Sequence, residues 1–333
     1  MLHRGLATVD LIKRGPVVSG GAHLLCAHAT GFCKEVWRPV VSEIVTECSR
    51  AVAFDFRGHG ASSRFGSDDG CSSAAAPLSW WDFGRDAAFV AAQMRRDKLP
   101  QSPLVGVGHS KGATALVLAE LLAPGTFDSL ILVEPILFPR ALFEGGADGS
   151  ENPMVASTAR RRPRWESRAA AQRYFRERSV WQDWDDRAMA EYVEHGLTSA
   201  AAEGEGGEEE TAEGGSAAVA LRCDPAFEAS IYGLGYSAWE RLSEITCPVR
   251  LVVGAESHHL DGVGALLSSD GGGNTASYYR DVVAPLFGTP SPPVLVVPGG
   301  SHFVTMEQPA VIAAEVEAAL RHFDSMLPRR AAL

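Results

Sequence analysis

The chain has 333 residues, 46% of them hydrophobic and 21% charged, with a formal net charge of −11. That length suits one large α/β domain with an inserted lid, or two small domains. No apolar run reaches the roughly 20 residues of a membrane span, and the acidic balance argues against nucleic acid as a partner.

The first residues, MLHRGLATVDLIKRG, contain no continuous apolar stretch with a small-residue cleavage site, so no secretory signal is expected. From there to residue 138, short apolar runs alternate with amphipathic segments. The runs Leu24–Ala27, Ala51–Asp55, Leu104–Gly108 and Leu130–Val133 have the size of strands buried on both faces. Between them, Trp37–Cys48, Trp81–Lys98 and Ser110–Leu122 have helical spacing. This order predicts an α/β fold with a mostly parallel sheet and helices on both of its faces.

The loop after the first run reads Cys26-Ala-His28-Ala-Thr30-Gly31-Phe32. Gly31 permits close backbone approach, and a backbone N–H here suits a developing oxyanion. Register puts that donor at Thr30, with Ala29 through Phe32 all open. The next strand ends in Asp55-Phe-Arg57-Gly-His59-Gly60, a set expected to stiffen a turn rather than do chemistry.

The strand Leu104–Gly108 runs into Gly108-His109-Ser110-Lys111-Gly112 and then a helix. This is G-x-S-x-G in the strand–turn–helix setting that gives it meaning. So tight a turn needs small neighbours, which the two glycines supply. It presents Ser110 as a nucleophile beside a helix N-terminus, and the backbone N–H of Lys111 as a second oxyanion donor. The Lys111 side chain is expected at the surface. His109, adjacent to the serine, is expected to point away from it and pack in the turn.

After the strand Leu130–Val133 comes Glu134-Pro135. A carboxylate at the end of a buried strand is costly unless it has a cationic or hydrogen-bonding partner. Residues 139–246 then change character. Residues 153–200 are rich in Arg, Glu, Ala and aromatics at helical spacing, with no strand-like run, and 201–217 is a low-complexity acidic tract. This stretch reads as a helical cap inserted between core segments 1–138 and 247–333. Its basic cluster, Arg160 to Arg164, is expected to be a solvated helix start. The aromatics Trp165, Tyr174, Phe175, Trp181, Trp184 and Tyr192 are expected mainly to pack within the cap.

Strands resume at Val249–Val253 and Val294–Val297, and a last helix spans about 310–323. The final strand leads into Pro298-Gly-Gly-Ser-His302-Phe. His302 therefore lies at the same edge of the sheet as Ser110 and can act as its general base. His258 and His259 are expected to face solvent or the site entrance. For the third member, Glu134 is favoured because a buried unpaired carboxylate needs a reason, and the His302 imidazolium would supply one. Glu256 is the alternative acid.

The segments HATGFCKEVW, DFRGHGASS, GHSKG, LVEPIL and PGGSHFVTMEQP resemble the α/β-hydrolase superfamily over nearly the whole chain. Within it they are similar to the group of fungal peroxisomal lipase-like hydrolases and hydrolases of fungal toxin biosynthesis. The resemblance implies a mostly parallel eight-stranded sheet with a helical cap. It carries over Ser110 as nucleophile, His302 as base and the 28–32 loop as oxyanion donor. Relatives often read Gly-x-x-Asp after the strand 249–253, a slot that holds Ser257 here. Haloalkane dehalogenases place their acid after the strand that follows the nucleophile helix, which is where Glu134 stands. A serine nucleophile argues against dehalogenase and epoxide hydrolase chemistry.

The expectation is thus a serine esterase or lipase-like enzyme acting on a small-molecule ester through Ser110, His302 and Glu134, needing no metal or organic cofactor. Rivals are a thioesterase or carbon–carbon bond hydrolase with the same residues, or a ligand receptor on a hydrolase fold. The six scattered cysteines form no C-x-x-C pair, which suits buried thiols in a reducing compartment. A cytoplasmic location is expected, with the peroxisome as the weaker alternative because the C-terminus lacks an S-K-L address.

Overall fold

The computed structural model describes residues 5–13, 21–45, 48–62, 78–97, 102–139, 153–200, 217–234, 238–258, 274–288 and 290–326. The apolar runs form strands β2 (Ala22–Ala27), β3 (Cys48–Phe54), β4 (Leu104–His109), β5 (Ser129–Val133), β9 (Val249–Gly254) and β10 (Val294–Val297). All six pair in parallel. Strand β1 (Thr8–Lys13) adds an antiparallel edge on β3, giving the order β1-β3-β2-β4-β5-β9-β10. Among the described residues the main sheet therefore has seven strands, against the eight expected. No strand was anticipated at β1. Its alternation is that of a sheet edge, with Val9 and Leu11 packed on the core and Thr8 and Asp10 exposed.

Period-two alternation sends each strand's side chains into two cores. Leu24, Cys26, Val105, Val107, Ile131 and Val133 pack with Val40 and Val41 of α1 (Arg38–Ser42) and with Ile312 and Val316 of the last helix, Pro309–Met326. Leu25, Ala27, Leu104, Leu130 and Leu132 pack with α2 (Trp80–Asp97) and α3 (Lys111–Leu122). Runs that are apolar on both faces are what this layered arrangement requires. The expected helix 37–48 is shorter than read: a 3₁₀ turn over Lys34–Trp37 leads into α1, which ends at Ser42.

Residues 153–200 and 217–234 leave the sheet between β5 and β9. They form α4 (Pro153–Ala159), α5 (Arg168–Arg176), α6 (Ser179–Gln182), α7 (Asp186–His195) and α8 (Pro225–Tyr232). They also hold a small antiparallel sheet in the order β6-β8-β7, from Arg164–Trp165, Val219–Leu221 and Leu197–Ser199. Strands of two or three residues are too short to show alternation, which is why a purely helical pattern was read there. The acidic tract, apart from residue 217, lies outside the described residues, as do Cys71 and His259. The five described cysteines are free, and burial pushes the Cys26 and Cys33 thiols up. Among the described residues no helix is long and apolar enough to cross a membrane.

Register aligns the carboxyl ends of five strands. Ala27 sits opposite Gly108, His109 opposite Val133, and Val297 opposite Gly254. The loops that follow these ends carry Thr30, Ser110, Lys111, Glu134, Glu256 and His302, so one edge of the sheet gathers them.

Candidate active site

Ser110 follows β4 and caps α3, with φ 54° and ψ −118°. Glu134, just past β5, has φ 50°, and these are the two non-glycine residues with positive φ among the described residues. Such backbone strain persists only where the surroundings hold it, and it concentrates at functional sites. Here the holders are visible. The Ser110 N–H donates to Val133 O (2.9 Å), and the Glu134 N–H donates to Val252 O (2.9 Å). Gly112 closes the turn against β2: a Cβ there would lie 2.1 Å from Ala27 O and 2.7 Å from His28 O.

The histidine arrives on the loop after β10. Ala255 N–H donates to Val297 O (2.9 Å) and Glu256 N–H to Gly300 O (2.8 Å), binding this loop to the one after β9. Glu307 accepts from the Ser301 N–H (2.7 Å) and hydroxyl. His109 turns away from the serine, and its Nε2–H donates to the His302 carbonyl (2.7 Å). Burial, and the neighbouring His302, push the His109 imidazole down to about 3, so it serves as a neutral strut. Neither the Glu307 nor the His109 contact was foreseen, since both partners are backbone or loop groups that no local pattern marks.

His302 then bridges two side chains. Its Nδ1 lies 3.2 Å from Glu134 Oε2 and its Nε2 lies 3.1 Å from Ser110 Oγ. A buried carboxylate only accepts, so Nδ1 carries the proton and Nε2 presents its lone pair to the serine hydroxyl. Ser110 is 6% exposed and Glu134 is 0% exposed. The Glu134 carboxylate also accepts from the Gly254 N–H (2.7 Å) and the Ser257 hydroxyl (2.9 Å). Ser257, in the slot where relatives carry aspartate, thus faces the same histidine site as a donor to the acid. Glu256 is exposed, and only its backbone is tied to the 298–302 loop. His258 is exposed as well.

The loop 28–32 is organised from within by His28. Its Nδ1–H donates to Ala29 O (2.7 Å), while its Nε2 accepts from the Phe56 N–H (3.2 Å). Burial, and then Lys111, push this imidazole well below its ordinary range, consistent with the neutral tautomer those bonds require. In a trans peptide the carbonyl and the following N–H point oppositely. Turning Ala29 O toward the His28 ring therefore turns the Thr30 N–H away from it. Among the described residues neither the Thr30 nor the Lys111 backbone N–H donates to a protein acceptor. Lys111 is the first residue of α3, where an unsatisfied donor is inherent.

The Lys111 side chain corrects the expectation of exposure: it is fully buried. Its Nζ donates to His59 Nε2 (3.1 Å) and lies over the rings of Phe56 (4.3 Å) and Phe83 (4.8 Å). Lys111 follows Ser110 at the start of α3, and its side chain points into the layer between the sheet and α2. Burial pushes its ammonium down to about 7. The Asp55–Gly60 set stiffens its turn as expected. Asp55 accepts from the Lys34 N–H (2.7 Å), from Lys34 Nζ (2.7 Å) and from the Ala61 N–H (2.8 Å), and Arg57 pairs with Asp86 (2.6 Å).

Comparison with known proteins bears on the fold and the family. A profile described as the alpha/beta hydrolase family matches residues 24–315. A type I acyl-CoA thioesterase of Penicillium brevicompactum is 28% identical over 190 residues, which is 55% of this chain and 41% of that protein. The chain thus spans less than half the length of the curated relatives of this kind. An abhydrolase domain-containing protein of Alternaria alternata is 26% identical over 99 residues, 30% of this chain and 35% of its own. Among solved structures, the peroxisomal alpha-beta-hydrolase Lpx1 of Saccharomyces cerevisiae superposes with a TM-score of 0.68 at 17% identity, covering 98% of this chain and 90% of that one. An E-2-(acetamidomethylene)succinate hydrolase gives 0.65 at 19%, with 94% of each chain covered.

Proposed function

The chain belongs to the alpha/beta hydrolase family, and from that premise we propose that it is a serine hydrolase that cleaves carboxylic esters by acyl transfer to water. The observation that carries this reading is the chain of contacts from Glu134 through His302 to Ser110, with the backbone N–H groups of Thr30 and Lys111 in the adjoining loop and elbow without an acceptor among the described residues.

In this reading Ser110 Oγ attacks the ester carbonyl while His302 Nε2 takes its proton. Glu134 holds the ring and stabilises the imidazolium. The N–H groups of Thr30 and Lys111 receive the tetrahedral oxyanion, a contribution worth about 10²–10³ in rate for a single donor. The imidazolium then protonates the leaving alcohol as the C–O bond breaks. Water, deprotonated by His302, attacks the acyl-enzyme and releases the acid and Ser110. Residues 153–234 act as a cap over this edge of the sheet.

A second reading, thioester hydrolysis by the same residues, is favoured by the acyl-CoA thioesterases that match 55% of the chain. The test is direct. Wild-type protein should be labelled by a fluorophosphonate probe and should hydrolyse p-nitrophenyl butyrate, and Ser110→Ala should do neither. Rates on butyryl-CoA measured alongside rank thioester against ester. Folded wild-type protein that takes no label would instead support a ligand receptor on this fold.

A further inference from the structure

The outer side of the loop that carries Thr30 is gripped by the inserted segment. Tyr232 of α8 lies beside the Thr30 side chain. The carboxylate of Glu228, one helical turn earlier, lies on the Cα of Gly31: a Cβ there would come within 2.4 Å of Oε1. The Gly31 backbone has φ +80°, so glycine serves both the turn and this approach. Tyr192 of α7 directs its hydroxyl toward Gly31 O (3.5 Å) and packs its ring edge-on against Phe32 (5.4 Å between centroids). Arg161, just after α4, ties these holders together by pairing with Glu228 Oε2 and donating to the Tyr192 hydroxyl (3.5 Å). Gly31 and Phe32 are thus contacted by α7 and α8, with Tyr232 beside Thr30, and Arg161 joins the two helices.

This pair is an unusual expense in stability terms. Both Arg161 and Glu228 are largely withdrawn from water, and a buried ion pair is often no more stable than an apolar replacement of the same size. Its retention calls for a positional role. We propose that Arg161 and Glu228 are positioning residues that hold the Thr30 N–H in donating geometry, so that the oxyanion hole is complete only when the inserted segment is seated on the sheet. The inference rests on the acyl-transfer reading of Ser110 and Thr30. It adds that residues 153–234 complete the reacting site as well as covering it.

The experiment compares Arg161→Met, Arg161→Lys and the double variant Arg161→Met/Glu228→Gln with wild type. The double variant leaves no buried charge unpaired and so guards against simple misfolding, with thermal melting as the control. Four quantities are read: kcat and KM on p-nitrophenyl butyrate, the inhibition constant of a trifluoromethyl ketone, and that of butyrate. The ketone forms a tetrahedral adduct on the serine and loads the oxyanion hole; butyrate reports ground-state binding. The expected result for Arg161→Met and for the double variant is a fall in kcat of about 10²-fold, the scale of one lost oxyanion donor. KM and the butyrate constant should stay within threefold, and the ketone should weaken in step with kcat/KM. Arg161→Lys should recover most of the loss. A double variant that melts like wild type and keeps kcat within threefold overturns the proposal, as does a loss confined to KM and butyrate. If wild type neither hydrolyses the ester nor binds the ketone, the acyl-transfer reading itself fails and this inference with it.

Discussion

Lys111→Met tests the burial of the residue that follows Ser110. Moving an ammonium from an ordinary value of 10.5 down to about 7 corresponds to about 5 kcal/mol of preference for the neutral form, at about 1.4 kcal/mol per tenfold change in proton affinity. The sign follows from linkage. Between pH 7 and 10.5 the unfolded chain holds this proton and the folded chain does not, so wild-type stability from this group rises with pH. Below pH 7 both states are protonated and the folded state bears the full penalty. Methionine is close in volume and has no proton to lose, at the expense of the hydrogen bond to His59, about 1 kcal/mol. The variant should therefore be more stable than wild type at pH 6.5. Its advantage should shrink by up to about 1.4 kcal/mol per pH unit between pH 7.5 and 9.5. Urea unfolding of both proteins at half-unit pH steps gives the difference directly, and groups common to both cancel. Parallel stability curves across that range would refute the reasoning, because they would mean that folding leaves the Lys111 proton affinity unchanged.

Glu134→Gln should lower kcat on p-nitrophenyl butyrate by about 10⁴-fold, the scale seen when a triad acid becomes an amide, while Glu256→Gln should leave it within a few-fold; steady-state kinetics on both variants checks this, and the reverse ranking transfers the acid role to Glu256. Gly112→Ala forces a methyl group against Ala27 O and His28 O, so it should destabilise the fold by about 1–3 kcal/mol, read by thermal melting, and lower the rate of fluorophosphonate labelling.

The parts of this site legible in the sequence are those whose environment is local. The G-x-S-x-G turn between a buried strand and a helix carries its own context, and so does the Gly-Gly-Ser-His302 loop after the last strand. The carboxyl ends of the strands match the sequence reading to within a residue because an apolar run on both faces ends where the chain meets polar turns, whereas β3 begins three residues before its apolar run. What escaped depends on neighbours far along the chain. Lys111 looked like a surface residue because lysine usually is one; only the packing of α2 and the Asp55–Gly60 turn against the elbow makes its surroundings apolar. His109 was read as packing, but its bond to the His302 carbonyl spans 193 positions. Arg161 sat in a basic run that read as solvated. Its inward turn follows from Glu228, 67 residues later.

The placement of the Glu134 carboxylate follows from the adjacency of β5 and β9, and this yields a last prediction. Glu134 and Ser257 follow the adjacent strands β5 and β9, and their side chains touch at 2.9 Å. Either position can therefore present a carboxylate near His302 Nδ1; the longer glutamate side chain does so from β5, and the shorter serine completes its hydrogen bonding. Exchanging the roles, Glu134→Ser with Ser257→Asp, moves the charge by one strand without adding one. Glu134→Ser alone should lose about 10⁴-fold in kcat, and Ser257→Asp added to it should return at least about 10²-fold of that. Ser257→Asp alone puts two carboxylates on one buried spot. It should retain a proton there to higher pH and lower stability most above pH 7, where both would have to ionise. Kinetics and melting of the three variants decide the matter. A folded double variant no faster than Glu134→Ser would mean that the glutamate's particular reach from β5, and not the presence of a carboxylate beside Nδ1, is what the histidine requires.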